Sequence, residues 1–106
     1  MALGNIEKTF ARLRVQGRTG LVLFLPVGFP DIEATLELVP TMVEAGADII
    51  ELGVPFSDPL ADGATIQKAG YHALQQGVSL PRCLEVCSIL RDRGIETPLV
   101  LMGYYN

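Results

Sequence analysis

The sequence has few of the residues from which metal centres and disulfide frameworks are built. It holds one histidine and two cysteines among 106 residues. Cys83 and Cys87 are four positions apart in a segment of helical periodicity, so they share a helix face, whereas His72 belongs to another segment. A zinc site needs more ligands, and a free cysteine is usually a small buried hydrophobe. We therefore predict no metal site, two buried thiols and a reducing, cytoplasmic setting.

Basic residues are scarce as well. The sequence has eight Lys and Arg and twelve Asp and Glu, which gives a net charge of −4. The basic residues form no cluster. This balance argues against nucleic acid as a partner. No apolar run approaches the roughly 18 residues of a membrane span, and residues 1–20 lack the apolar core of a secretion signal. With 49% hydrophobic residues, the sequence predicts a soluble globular protein without nucleic-acid or membrane partners.

Strand-like and helix-like segments alternate along the chain. Apolar runs without alternation predict buried strands at residues 20–26, 47–52 and 99–102. Periodicity and capping residues predict helices between Asn5 and Gly17, Asp31 and Gly46, Thr65 and Gln76, and Ser79 and about Arg93. Strands joined through helices form a parallel sheet. We expect one domain over 1–106, whose three strands leave two unpaired edges and one poorly covered face.

Two of these helices carry specific expectations. Ile6, Phe10 and Leu13 recur at helical spacing and predict the buried stripe of the first helix, with Asn5 as its N-cap. The second helix has an apolar stripe of its own, formed by Ile32, Leu36, Val39 and Val43. Pro40 lies inside that second helix and removes one backbone hydrogen bond, so we expect a kink or an early break there.

Residues 51–63, with the sequence ELGVPFSDPLADG, are the most informative segment. An apolar run ends in Glu51, and Asp58 and Asp62 follow in a loop stiffened by prolines. A partly desolvated carboxylate at a strand end suits general acid–base chemistry. The alternative is an acid that faces solvent or caps a helix, and the residues alone leave both interpretations open.

The other two acids have simple structural interpretations. Asp58 precedes Pro59 and is a common turn former, and Asp62 could cap a helix that starts near Ala64. Three acids so close together also raise the possibility of Mg²⁺ or Ca²⁺, but their spacing does not resemble that of an EF-hand. Among the aromatic residues, Tyr104 lies just beyond the third strand, where packing and function are equally open.

The 51–63 segment resembles the signature of the tryptophan synthase alpha chain family. The resemblance is carried by the 51–63 segment and by residues 23–30 (LFLPVGFP), 44–48 (EAGAD), 65–69 (TIQKA) and 101–106 (LMGYYN), so it covers essentially the whole sequence. The family fold is a (β/α)₈ TIM barrel of about 250 residues. The resemblance therefore implies the N-terminal part of such an α/β barrel, with about three of its strands.

The resemblance also implies a reaction and its residues. Family members are lyases of tryptophan biosynthesis that split indole-3-glycerol phosphate into indole and glyceraldehyde 3-phosphate, without a cofactor in this chain. By resemblance Glu51 is the general acid–base and Asp62 is the carboxylate that holds the indole N–H. Phe24 and Tyr104 match positions that contact the indole.

A partner is implied as well. Pro55, Asp58 and Asn106 match the surface that docks on the pyridoxal-phosphate-dependent beta subunit, in an α₂β₂ heterotetramer. The resemblance implies that the family's glycine-rich phosphate grips and mobile lid belong to the part of the barrel that this sequence does not include. The glycines present here are isolated and match neither a P-loop nor a dinucleotide fingerprint. We therefore expect the 106-residue chain to be inactive alone. Two alternatives stay open: a structural barrel fragment that folds by self-association, and another phosphate-handling barrel enzyme.

Overall fold

The computed structural model describes residues 4–104 as three parallel strands joined by helices. The strands are β1 (Val22–Pro26), β2 (Ile49–Gly53) and β3 (Leu99–Met102). The helices are α1 (Asn5–Gln16), α2 (Ile32–Glu44), α3 (Ala64–Gln75) and α4 (Leu80–Asp92). The strand order in the sheet follows the chain, β1-β2-β3. The predicted parallel sheet is confirmed, although β1 and β2 each begin two residues later than predicted.

Strand register gives the sheet two different faces. Leu25 pairs with Leu52 and Leu52 with Leu101, so these side chains project to one face. On that face they join a core with the apolar stripes of the three later helices. Its fully or nearly buried members include Ile50, Leu36, Val39, Ala73, Cys83, Val86 and Leu90. The helices therefore cover this face and anchor all three strands.

The other face is largely open. Val22, Phe24 and Met102 project to it and are 46%, 37% and 46% exposed. Among residues 4–104, β1 and β3 pair only with β2, so each leaves one edge free. The expected unpaired edges and poorly covered face are thus present. A sheet with helices on one side and apolar side chains on the other is the arrangement of a barrel wall.

The first helix packs differently from its predicted stripe. Leu13 is buried, but Ile6 and Phe10 are about half exposed, so the predicted three-residue stripe is wrong for two of its members. Asn5 is the first helical residue rather than the N-cap. Its side-chain amide instead donates to the carbonyl of Glu96, 3.2 Å away, which ties α1 to the segment before β3. The Gly17 stop is confirmed, because Gly17 ends α1 in the left-handed conformation.

Helix α2 continues through Pro40 to Glu44, so of the two outcomes expected at Pro40, a kink or an early break, the break does not occur. Proline costs the helix one hydrogen bond, but core contacts lie on both sides of it: Leu36 and Val39 are buried before Pro40, and Val43 packs on the core after it. The predicted stripe of α2 is therefore confirmed, and we infer that its packing holds the helix together. Asp31 caps α2 as predicted, accepting from the Ala34 amide at 2.8 Å.

Both cysteines lie on α4 and are free. Cys83 is fully buried in the core, as predicted, and Cys87 is only partly buried against it. Burial raises the pKa of the Cys83 thiol to about 11. Burial also raises the pKa of Cys87. Neither thiol therefore has the character of a reactive cysteine.

The helices that the structure describes between residues 4 and 104 include none with the length and apolar character of a membrane span.

Candidate active site

A pocket of about 280 Å³ lies on the open face, beyond the carboxyl ends of the strands. Its walls come from the strand ends, the loop between β2 and α3, the first turns of α3 and the residues after β3. The lining includes Phe24, Pro26, Gly53, Pro55, Phe56, Asp62, Ile66, Gln67, Met102 and Tyr104. Parallel α/β folds place functional groups at this end of the sheet.

Phe24 and Gly53 form one wall of the pocket in close contact. A Cβ atom on Gly53 would lie 2.7 Å from Cζ of the Phe24 ring, well inside van der Waals distance. Glycine at position 53 therefore leaves the space that the ring occupies. The result is a flat apolar wall, which suits an aromatic ligand.

Glu51 lies in the middle of β2 rather than at its end, since the strand continues to Gly53. It is the register partner of both Phe24 and Val100 and projects to the same open face. Gly53, which lines the pocket, is two residues further along, roughly 6–7 Å at strand spacing. Glu51 is half-buried and does not line the pocket itself. Within residues 4–104 its carboxylate makes no hydrogen bond or ion pair.

Asp62 lies in the pocket wall and is half-buried. The predicted start of the next helix at Ala64 is confirmed, but the N-cap is Gly63, and no side chain caps it. The interpretation of Asp62 as a helix cap is therefore wrong. Its backbone is held instead: the Asp62 amide donates to the carbonyl of Pro59 at 3.2 Å. The carboxylate thus makes no capping hydrogen bond, and Asp62 lines a largely apolar pocket.

Tyr104 reaches the pocket from beyond β3. Its hydroxyl accepts a hydrogen bond of 2.9 Å from the backbone amide of Ala61. Its ring stacks on Phe56, with centroids 5.6 Å apart and planes 15° from parallel. One side chain therefore holds two points of the β2–α3 loop.

Gln67 is a pocket residue that the sequence analysis did not single out. Its side-chain amide donates to the carbonyl of Asp62 at 2.8 Å and to that of Pro59 at 3.3 Å. The available signal was a glutamine in the first turn of α3, a position from which a side chain can reach back to the preceding loop.

The remaining predicted residues are scattered. Pro55 is buried and lines the pocket, whereas Asp58 is exposed and does not line it. Asn106 lies outside the described residues. His72 is exposed, and its Nε2 lies 2.9 Å from the carbonyl of Pro30. Among residues 4–104 no three His, Cys, Asp or Glu side chains are close enough to hold a metal ion.

The site therefore combines an apolar slot, a carboxylate in its wall and a second carboxylate further down the same face. A planar apolar group would fit against Phe24 and Tyr104, and an N–H on that group could donate to Asp62. Glu51 is placed to exchange a proton with an atom on the open face of the sheet. Nothing in the described pocket provides a positively charged grip for a phosphate.

Comparisons with known proteins agree with this geometry. The family model of the tryptophan synthase alpha chain matches residues 10–106. A tryptophan synthase alpha chain from Roseiflexus castenholzii is 54% identical over 104 residues, 98% of this chain and 40% of the relative. The one from Chloroflexus aggregans is 56% identical, with 98% and 39% covered. The chain thus spans about two fifths of the length of these relatives.

Solved structures agree as well. Tryptophan synthase subunit alpha from Legionella pneumophila superposes with a TM-score of 0.94 at 38% identity, over 97% of this chain and 39% of that one. A structure of the tryptophan synthase α₂β₂ complex from Pyrococcus furiosus gives a TM-score of 0.75 at 45% identity, over 82% of this chain and 34% of the other. The three strands and their helices are thus the N-terminal part of a (β/α)₈ barrel, and the chain belongs to the tryptophan synthase alpha chain family.

Proposed function

We propose that the complete protein containing this sequence is a lyase that splits indole-3-glycerol phosphate into indole and glyceraldehyde 3-phosphate. The observation that carries the proposal is the shared face of Glu51 and Phe24, register partners beneath an apolar pocket with Asp62 in its wall. Family membership supports the same reaction. Because the chain spans only part of its relatives, the activity is proposed for the whole protein.

The proposed chemistry is a retro-aldol cleavage. A proton is added to C3 of the indole ring, the bond from C3 to the glycerol carbon breaks, and the hydroxyl on that carbon loses its proton to become the aldehyde. We assign the proton transfers to Glu51. Positive charge develops on the indole ring as C3 is protonated, and the Asp62 carboxylate would stabilise it by accepting the indole N–H. Phe24 and Tyr104 would hold the ring flat.

The phosphate grip and the partner belong to the same proposal. The residues that hold the substrate's phosphate would come from the rest of the barrel. Indole would pass to a beta subunit, which carries the pyridoxal phosphate of the α₂β₂ enzyme, and this chain needs no cofactor of its own. The loop with Pro55 and Asp58, together with Asn106, is the proposed contact surface. Two free cysteines fit a cytoplasmic enzyme.

The test grafts residues 1–106 into a complete alpha chain of the family and measures indole release from indole-3-glycerol phosphate. The unmodified graft should be active. Glu51→Gln should lower kcat on the order of 100-fold or more, because general acid–base catalysis contributes at least that much. Glu44→Gln, on the exposed end of α2, is the matched control and should leave kcat unchanged.

Two results would overturn the proposal. A folded, unmodified graft that releases no indole would point to another phosphate-handling barrel enzyme. Near-normal turnover by Glu51→Gln would remove Glu51 from the mechanism. Thermal unfolding and circular dichroism of each variant separate a loss of catalysis from a loss of folding.

For the 106-residue chain alone we propose a second behaviour, self-association without lyase activity. The observation that favours it is the open sheet face with Val22, Phe24 and Met102, flanked by two free edges. Such surfaces drive pairing between chains. Analytical ultracentrifugation should detect oligomers that dissociate on dilution. A monodisperse monomer of 11.4 kDa with cooperative unfolding would contradict this expectation.

A further inference from the structure

The loop between β2 and α3 is irregular, yet it carries Asp62 and forms one side of the pocket. Residues 54–63 contain no helix or strand. Local turns fold the loop on itself, with the amide of Leu60 donating to the carbonyl of Asp58 at 2.9 Å. Such turns do not fix the loop relative to the strands, because they connect only residues within it.

At the start of the loop the amide of Val54 donates to the carbonyl of Met102 in β3 at 2.8 Å. Nearer to Asp62, two side chains from outside the loop supply the link. The hydroxyl of Tyr104 accepts from the Ala61 amide at 2.9 Å, directly before Asp62. The amide of Gln67 donates to the Asp62 carbonyl at 2.8 Å. The backbone is therefore held at the amide of Ala61, one residue before Asp62, and at the carbonyl of Asp62, from the end of β3 and from α3. The Phe56–Tyr104 stack holds the front of the same loop.

These contacts constrain the backbone from which the Asp62 side chain projects. The amide of residue 61 and the carbonyl of residue 62 belong to the peptide units that flank Ala61 and Asp62. With both groups bonded, and with the Asp62 amide donating to the carbonyl of Pro59, the backbone has little freedom to rotate near Asp62. The Cα atom from which its side chain projects therefore keeps its place in the pocket wall. If either bond were broken, Asp62 would still be present but poorly directed. Displacements of about 1 Å at a reacting centre can cost on the order of 100-fold in rate.

We propose that Gln67 and the Tyr104 hydroxyl are positioning residues that together fix the Asp62 carboxylate for catalysis. The proposal rests on the function proposed above. It assigns Tyr104 a role in addition to contact with the substrate ring, and it gives Gln67 a role through the loop backbone. A merely structural role would predict a change in stability instead of a change in catalysis.

The experiment uses the grafted complete chain with Gln67→Met and Tyr104→Phe. The first variant keeps the length of the side chain without a donor, and the second removes only the hydroxyl. Gln75→Met and Tyr71→Phe are the matched controls, because both residues are exposed on α3 and neither lines the pocket. Hydrogen–deuterium exchange of the peptide over residues 55–63 reports the loop directly, without substrate.

We expect faster exchange of this peptide in both site variants and unchanged exchange in both controls. We also expect kcat to fall on the order of 10- to 100-fold, with KM changing much less and the melting temperature unchanged. Unchanged exchange, or faster exchange with unchanged kcat in an active graft, would overturn the proposal. If the unmodified graft is folded but inactive, the proposed function fails, and the positioning role in catalysis fails with it. The exchange data then show separately whether the two residues hold the loop.

Discussion

The backbone amide of Leu21 donates a hydrogen bond of 2.8 Å to the carboxylate of Asp48. Leu21 lies directly before β1 and Asp48 directly before β2, so this bond fixes the start of one strand against the other. The other carboxylate oxygen accepts from Arg18 at 3.3 Å. Asp48 is buried and fully partnered, which is how a buried charge is stabilised.

Asp48 should make the stability of the protein depend on acid pH. The Leu21 amide, aided by Arg18, holds the pKa of Asp48 below its ordinary value of 3.8, against the opposing effect of burial. A carboxyl whose pKa is lower in the folded state stabilises fully above its unfolded pKa, and this contribution is lost as the pH falls through the folded pKa. Asp48→Asn should therefore cost about 1–3 kcal/mol at pH 7. The difference from the unmodified chain should shrink below about pH 4.

Urea unfolding at a fixed protein concentration between pH 7 and pH 2.5 measures this difference. Asp92→Asn, an exposed acid at the end of α4, is the control and should change stability little at any pH. A cost for Asp48→Asn that stays constant down to pH 2.5 would mean that the carboxylate charge is not its source.

Gly28 should tolerate no side chain. Its φ is +91°, and a Cβ atom there would lie 2.5 Å from Cγ2 of the buried Val78. Gly28→Ala combines backbone strain with core overlap and should cost about 2–4 kcal/mol in the free energy of unfolding. Gly46→Ala is the control, because Gly46 has a φ of +120° with open space around it. That variant should show the backbone strain alone, about 1–3 kcal/mol.

A double variant separates the two contributions at Gly28. Val78→Ala removes the atom that the new methyl group would meet, so Gly28→Ala should cost less in its presence than alone. Strictly additive costs in this double-mutant cycle would contradict the overlap.

The thiols should react slowly with a disulfide reagent in the folded protein. Because burial raises the pKa of Cys83 to about 11, only about one in a thousand of its thiols is ionised at pH 8. We expect Cys83 to be labelled only after unfolding, and the partly buried Cys87 to be labelled earlier but slowly. Labelling in increasing urea, followed by mass spectrometry, gives the order. Rapid labelling of Cys83 in the absence of urea would contradict its burial.

The regular part of the fold could be predicted because each element has local determinants. Asp31 and Ser79 cap the helices that the sequence predicts, and the apolar run at 99–102 forms the predicted β3. The predictions were wrong where tertiary packing, rather than the local sequence, determines the structure. Of the kink or break expected at Pro40, the break is absent, although the proline does lie within α2. Ile6 and Phe10 are more exposed than the periodicity of α1 predicts.

The candidate site likewise contains residues that the sequence indicates and contacts that depend on the folded structure. Glu51 and Asp62 stand out in the sequence because acids in an apolar segment are conspicuous. The position of Glu51 in the middle of β2 depends on strand ends, which local patterns define poorly. Gln67 was missed because its partners are backbone carbonyls, and a sequence does not show where carbonyls of an irregular loop point. The Tyr104 hydroxyl bond spans 43 positions and depends on the assembled sheet.

Gly53 belongs both to the sheet, as the last residue of β2, and to the lining of the pocket. A Cβ atom at position 53 would lie 2.7 Å from Cζ of Phe24 and 3.4 Å from Cα of Pro26. Cζ is the far end of a side chain on the open face, so the ring can turn away at little cost. Gly53→Ala should therefore lower the free energy of unfolding by only about 1 kcal/mol. The moved ring should deform the pocket wall, so indole affinity in the grafted chain should fall on the order of 10-fold.

Calorimetric titration with indole and urea unfolding, done on the same preparation, measure the two effects of Gly53→Ala. Gly63→Ala is the matched control, since a Cβ atom there meets nothing within 4 Å. Phe24→Leu in the Gly53→Ala background removes the end of the ring, which should relieve the overlap without restoring a flat wall. A large loss of stability with unchanged indole affinity would mean that Phe24 cannot turn and that Gly53 serves the packing of the sheet rather than the shape of the pocket.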